Sequence, residues 1–142
     1  MSGLAFLNAI IDGTLPRAPI QDLVGFALEE AEEGRVVFAL DPGEQHYNPI
    51  GSVHGGVAAT LLDSALGAAV HSTLPRGSAY VTLEVKFNLV RAITADTGRV
   101  VAEGRVVHRG KTVATSEAHL RDGDGKLLAH ATSTCLIRGA SG

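Results

Sequence analysis

The sequence predicts an α+β domain in which an antiparallel sheet curls around one long apolar helix. Residues 57–71 are almost entirely small or aliphatic, and a helix that is apolar on all sides must be wrapped by protein. Four later segments have the pattern of strands and are joined by short turns. At 142 residues the chain has the length of one domain, so we expect a single domain over residues 1–142.

The first elements can be followed in order. Residues 4–11 are apolar and predict a short N-terminal helix, which the two following prolines end. Residues 23–33 favour a helix by propensity, but a strand-like segment follows at once, so their state stays open. Residues 35–40 alternate with period two and lead into a turn at 41–43, which predicts a strand and its end.

Four strands are expected after the long helix. The connections between the last three are short and contain glycine, which predicts hairpins. The predicted strands are residues 79–89, 98–108, 112–121 and 127–137.

The first of these strands predicts one covered face and one wetter face, as in an antiparallel sheet. We expect the covered face to be apolar and the wetter face to be mainly polar. The first set is Val81, Leu83, Val85, Phe87 and Leu89, and the second is Tyr80, Thr82, Glu84, Lys86 and Asn88.

Composition excludes several classes of protein. Hydrophobic residues make up 45% and charged residues 19%, which is typical of a globular chain and not of a disordered one. The net charge of -3 makes nucleic acid an unexpected partner. The most apolar stretch, residues 57–70, contains Asp63 and is shorter than the ~20 residues that cross a bilayer. The single Cys135 forms no intrachain disulfide and favours the reducing cytoplasm.

Candidate functional groups are concentrated where the long helix begins. Gly55 and Gly56 lie at its predicted start, where backbone amides lack partners and the helix dipole can polarise a carbonyl. Asp63 lies inside the apolar helix, where an ionised carboxylate is costly unless it is hydrogen-bonded, solvated or used. Asn48 and His54 place an amide and an imidazole near the same helix start.

Each of these groups also has a structural interpretation. The two glycines could form only a tight turn, and His54 could cap the helix. Thr60 or the backbone could satisfy Asp63. The residue types alone leave both interpretations open.

The spacing of Gly55 and Asp63 has a consequence for assembly. Eight residues at about 1.5 Å each separate them by about 12 Å along the helix axis, so one substrate carbonyl cannot touch both. If both groups act on one centre, the second must come from a twofold-related subunit. On that condition the sequence predicts a homodimer with two shared sites.

Three stretches carry a family likeness: NPIGSVHGGVAATLLD, YVTLEVKF and RGKTVATSEA. Together they resemble the hotdog-fold acyl-CoA thioesterases of the phenylacetate-pathway type, and the likeness covers residues 23–137, taken as the core of the domain. The resemblance implies a hotdog fold in which residues 23–33 are a strand, and dimers that pair into tetramers. It also implies hydrolysis of acyl-CoA, with no cofactor.

Matching motif positions imply a role for each site residue. The Gly55 amide would polarise the thioester carbonyl, and Asp63 of the other subunit would be the general base for water or, alternatively, the nucleophile. Asn48 would hold the water or the thioester, and His54 would fix the loop. Thr82 would hydrogen-bond the same water, unless it is a plain strand residue.

The residues that would bind coenzyme A are less sharply defined. Arg91, Arg109 and Lys111 are candidates for its phosphates, although charges on turns are often only solvated. Gly56 is a candidate substrate contact, because glycine lets a ligand approach the backbone. Aryl, phenylacetyl-type and medium-chain acyl groups are all compatible with the sequence.

Two other functions are consistent with part of the pattern. A hotdog dehydratase acting on β-hydroxyacyl thioesters would use a histidine and an acidic residue, and His46 lies upstream of Asp63. A non-catalytic acyl-CoA-binding module would keep the pocket but would not need the carboxylate. Six scattered histidines without an HExxH motif or paired cysteines predict no metal site.

Overall fold

In the computed structural model, which describes residues 1–139, a six-stranded antiparallel sheet curls around one long helix. The last three residues of the predicted domain lie outside the described part. The helices are α1 (Gly3–Ile11), α2 (Pro19–Val24) and α3 (Gly55–His71). The strands are β1 (Phe26–Glu32), β2 (Arg35–Leu40), β3 (Ala79–Leu89), β4 (Val100–Arg109), β5 (Val113–Arg121) and β6 (Leu127–Arg138). The predicted α+β architecture is confirmed.

The sheet has the strand order β1-β2-β4-β5-β6-β3, with antiparallel neighbours throughout. Strands β1 and β3 are therefore its two edges. The three predicted hairpin strands β4, β5 and β6 are adjacent, as expected. Among residues 1–139, no helix combines the length and apolarity needed to traverse a bilayer.

The N-terminal segment differs from the prediction in one element. Pro19, expected only to end a helix, instead begins α2, because proline at the first helical position loses no hydrogen bond. Gly25, with φ 91°, ends this helix. The strand implied for residues 23–33 is present from Phe26 onward, where burial of Phe26 and Leu28 outweighs the local helix propensity.

Helix α3 supplies the centre of the core but is not buried on all sides. Leu61, Leu62 and Ala65 are fully buried beneath the sheet. Gly56 and Asp63 lie on an exposed side. The prediction of complete burial is wrong for the single chain, because six strands curl around only part of the helix circumference.

Strand β3 departs from the predicted alternation because it contains a β-bulge at Leu83. Thr82 and Glu84 pair with consecutive residues of β6, so Leu83 is an extra residue. One extra residue exchanges the faces of all residues beyond it. Tyr80 and Thr82 therefore lie on the concave face that packs on α3, and their predicted place on the outer face is wrong. The apolar residues on that concave face are Val85, Phe87 and Leu89.

Candidate active site

The start of α3 is held by its own cap. The Nδ1 atom of His54 accepts a hydrogen bond from the Gly56 amide at 2.8 Å. The backbone amide of His54 donates to the carbonyl of His46 at 2.8 Å. The capping interpretation of His54 is therefore realised. The Gly56 amide is thereby occupied, whereas the Gly55 amide has no hydrogen-bond partner within residues 1–139.

Asn48 shapes the loop that leads to this helix. Its Oδ1 atom accepts from the amides of Ile50 at 3.0 Å and Ser52 at 3.2 Å. Its Nδ2 atom donates to the Ser52 hydroxyl at 3.2 Å. An amide nitrogen carries two hydrogens, so one donor of Asn48 stays free for a ligand.

A cavity of about 260 Å³ lies at the start of α3, and we call it the helix-start cavity. Asn48, Gly55 and Arg91 line it, together with Leu89 at the end of β3. A methyl group on Gly55 would come within 2.7 Å of the Leu89 side chain, so glycine keeps this wall open. A carbonyl oxygen placed here could accept a hydrogen bond from the free Gly55 amide, at the positive end of the helix dipole.

Asp63 is an exposed carboxylate to which the structure assigns no partner. Within residues 1–139 it forms no hydrogen bond and no ion pair. Thr60 donates instead to the carbonyl of Gly56 at 2.8 Å, so it does not satisfy Asp63. Partial burial raises the pKa of the Asp63 carboxyl, as expected of a group that loses water without gaining a donor.

The surroundings of Asp63 include Tyr80, which sequence reasoning missed, and the predicted site residue Thr82. Tyr80 extends over Gly67, and its hydroxyl lies 2.7 Å from the position that a Cβ atom would take if Gly67 were alanine. The centroid of the Tyr80 ring is 5.7 Å from that of His71. Burial raises the pKa of Tyr80, and the charge of Asp63 adds to this effect. Thr82 lies on the same face and pairs with Cys135. The bulge that brings Tyr80 here leaves no signal in an alternating pattern.

The three basic candidates are at two separate places. Arg91 lines the helix-start cavity, just beyond the end of β3. Arg109 and Lys111 line a depression with Ser78, which precedes the start of β3. Eleven residues of strand span about 36 Å, so these two places lie at opposite ends of the chain's edge strand.

His46 is buried, and both of its ring nitrogens have partners. Nδ1 accepts from the amide of Gly43 at 3.0 Å, and Nε2 lies 2.7 Å from the carbonyl of Val24. The imidazole therefore orders the loop and offers no free nitrogen to a substrate. No three His, Cys, Asp or Glu residues between positions 1 and 139 are grouped to hold a metal ion.

Known proteins resemble the chain in sequence. A family model described as "Thioesterase superfamily" matches residues 50–129. Acyl-coenzyme A thioesterase 13 of Homo sapiens is 33% identical over 109 residues, which cover 75% of this chain and 76% of the relative. A 1,4-dihydroxy-2-naphthoyl-CoA hydrolase of Listeria monocytogenes is 26% identical over 84% of this chain and 95% of the relative.

Solved structures show the same fold. The PaaI protein from the phenylacetic acid degradation operon of E. coli superposes with a TM-score of 0.84 at 21% identity, over 98% of both chains, which supports the fold alone. A protein of Streptococcus mutans bound to acetyl CoA has a TM-score of 0.73 at 28% identity, over 81% of this chain and 90% of that one.

Proposed function

The chain belongs to the thioesterase superfamily, and from this premise we propose that it hydrolyses acyl-CoA thioesters in sites shared by two subunits. The acyl group would be of the aryl, phenylacetyl or medium-chain type. The human relative, named an acyl-CoA thioesterase, and the acetyl CoA in the Streptococcus structure support the thioester class. The observation that carries the proposal is an unpartnered carboxylate, Asp63, on the same helix whose first amide, Gly55, is free.

The proposed reaction uses these two groups together. The Gly55 amide donates to the thioester carbonyl oxygen and stabilises the negative charge that develops there. Asp63 takes a proton from water, the water oxygen bonds to the carbonyl carbon, and the carbon–sulfur bond breaks. The coenzyme A thiolate leaves and is protonated. Direct attack by Asp63 to form an anhydride is the alternative, which the short aspartate side chain disfavours.

A second copy of the chain is required because the two groups lie about 12 Å apart along one helix. Edge strand β3 is the place where we expect that copy to pair. Val81, Leu83 and Leu89 are 44%, 56% and 57% exposed there, although the sequence pattern predicted a covered face. Antiparallel pairing of two β3 strands would cover them and would set the two α3 helices antiparallel.

Such pairing would also bring the three basic candidates together. Antiparallel β3 strands bring the start of one strand beside the end of the other. Arg91 would then face the partner subunit's Arg109 and the partner subunit's Lys111 across the entrance to the helix-start cavity. We propose that this basic rim binds the phosphates of coenzyme A.

We also propose that the dimers form a tetramer and that the protein is cytoplasmic. Leu136 and Val113 are apolar neighbours on the outer face of β6 and β5, which would let two dimers pair into a tetramer. A cytoplasmic location is supported by Cys135, a buried free thiol.

The test measures release of free thiol from a panel of acyl-CoA thioesters. Asp63→Asn should lower kcat/KM by at least about 10³-fold while leaving ligand affinity largely intact, because it removes only the base. Asp124→Asn, an exposed aspartate in the hairpin between β5 and β6, is the matched control and should keep full activity.

The same assay separates the proposal from the other two functions. Formation of an enoyl thioester without thiol release would indicate a dehydratase. Tight binding of acyl-CoA without any turnover would indicate a binding module. Unchanged hydrolysis by Asp63→Asn would refute the assigned mechanism.

A further inference from the structure

A second cavity, of about 180 Å³, lies between the N-terminal helices, the sheet and α3, and we call it the α1–α2 cavity. Its walls are mostly apolar, with Phe6 from α1, Ile20 from α2 and Phe26 from β1. None of the described residues that line it is Asp, Glu, Lys or Arg. The polar side chains in its lining are Gln21, Ser64, His71 and Tyr80.

This cavity lies beside the carboxylate of the proposed site. Ser64, the residue after Asp63, forms part of its wall. Tyr80 forms another part, and its hydroxyl lies over Gly67, which is about one helical turn after Asp63 in α3. An acyl group whose carbonyl lies near Asp63 could therefore extend into the α1–α2 cavity.

Gln21 supplies a buried donor without an acceptor. The side chain is 5% exposed, and its Oε1 atom accepts from the amide of Ala18 at 2.9 Å. That bond fixes the orientation of the carboxamide, since the amide of Ala18 needs an acceptor. The Nε2 atom is left buried with no partner among residues 1–139. Such a donor is costly in the free protein, so a ligand that accepts from it gains binding energy.

The size and charge of the cavity restrict what can enter. An apolar cavity of about 150 Å³ is known to bind benzene, so about 180 Å³ accommodates one ring or a short branched chain with one small substituent. Burial lowers the pKa of His71, which keeps this imidazole neutral near pH 7. Without a cationic side chain in the wall, a neutral acceptor fits better than a carboxylate.

We propose that the α1–α2 cavity takes the distal end of the acyl group, and that Gln21 makes it select acyl groups bearing a neutral hydrogen-bond acceptor there. This inference rests on the proposed acyl-CoA hydrolysis and names its substrate class more narrowly. Gln21 is then the specificity-determining residue, and α2 is the element that places it in the cavity wall.

The test compares thioesters of equal shape that differ only in the acceptor. 4-Methoxyphenylacetyl-CoA is paired with 4-ethylphenylacetyl-CoA, and the 3-substituted compounds form a second pair. In at least one pair the methoxy compound should have a kcat/KM about tenfold higher, as one hydrogen bond to a buried donor provides. Equal values within both pairs would overturn the inference.

Two substitutions of Gln21 test whether this residue causes the preference for the methoxy compound. Gln21→Met removes the donor and should bring the ratio to about one. Gln21→Glu keeps an acceptor for the Ala18 amide, which protects the fold, and replaces the donor with a negative oxygen, so the ethyl compound should be preferred. Gln45→Met, at an exposed position, is the matched control and should keep the tenfold ratio. A ratio unchanged in Gln21→Glu would overturn the inference.

Failure of the inference and failure of the proposed function have different signatures. Hydrolysis of both members of each pair at equal rates leaves thioesterase activity in place and removes only the role of Gln21. If no thioester is hydrolysed, the proposed function fails, and calorimetric Kd values for the same pairs then decide the inference. A Kd ratio of about ten that is lost in Gln21→Glu supports it, and equal Kd values overturn it.

Discussion

Edge strands β1 and β3 each contain one β-bulge, but the extra residues differ in chemistry. In β1 the extra residue is Glu29, which forms an ion pair with Arg99. In β3 it is Leu83, whose side chain is 56% exposed. Bulges and charges protect an edge from pairing with another chain, whereas an apolar edge invites it. Both edges therefore contain a β-bulge, but only in β1 is the extra residue charged, which opposes pairing with another chain. We call β1 the closed edge and β3 the open edge.

The residues around β1 reinforce its closure. Arg35 bridges three carboxylates, with nitrogen–oxygen distances of 3.0 Å to Glu30, 3.5 Å to Glu32 and 3.0 Å to Glu103. Helix α1 packs against the same strand. On the β3 side no comparable charged network is found among residues 1–139. The β3 edge is therefore the one at which we propose that the second subunit pairs.

The largest expected effect comes from placing a charge on the open edge. Leu83→Lys should halve the mass of the assembly in light scattering and lower kcat/KM for acyl-CoA at least about 10³-fold, because base and oxyanion donor no longer meet. Glu32→Lys, on the closed edge, is the control and should leave both unchanged. A Leu83→Lys protein that keeps the molecular mass and the activity of the unmodified protein would contradict the assignment of the edges.

A smaller effect is expected where the end of β3 meets α3. Gly55→Pro removes the free amide, yet proline suits the first helical position and His54, at φ -58° and ψ 133°, is already extended as a residue before proline must be. We expect kcat/KM to fall about 100-fold. Gly55→Ala adds the same contact with Leu89 but keeps the amide, so it isolates the donor. Equal activity of the two variants would exclude the oxyanion role.

The pKa values of two carboxyl groups shift in opposite directions, and one of them predicts how the reaction depends on pH. Partial burial raises the pKa of Asp63 above its ordinary value of 3.8. On the β1 side, burial alone would raise the pKa of Glu103, but hydrogen bonds with Arg105 and Arg35 lower it. Because the base must be ionised, kcat/KM should fall about tenfold per pH unit below the raised pKa of Asp63 and level off above it. A profile that is flat through this acid range would contradict Asp63 as the base.

The smallest effect is expected at the closed edge. Arg35→Gln removes the bridge between the carboxylates and should cost about 1 kcal/mol, which lowers Tm by about 3 °C for a domain of this size. Thermal unfolding followed by circular dichroism measures this change. Thiol release and molecular mass should not change, and loss of the dimer in this variant would mean that β1 also contributes to assembly.

Local pattern was enough for the elements whose sequence signal lies in neighbouring residues. The apolar run of α3 and the glycine-containing hairpins of β4, β5 and β6 were predicted from spacing and composition, and the motif around Gly55 and Asp63 indicated the family. The start of α3 at Gly55 was also predicted, because the preceding polar loop and the two glycines mark a helix end. These features depend on near neighbours in the chain.

Other features depended on contacts between distant segments. The strand at Phe26 forms against its local propensity because β2 offers backbone partners and a core to fill. The face of Tyr80 was decided by one extra residue at Leu83, which only the register with β6 reveals. The unpartnered amide of Gln21 arises where α2 meets the sheet. By itself the sequence indicated the family through the resemblance of its motifs. Short-range periodicity predicted α3 and the hairpin strands, because their signals lie in neighbouring residues. Tertiary structure decided which side chains share a surface, because register and burial depend on residues far apart in the chain.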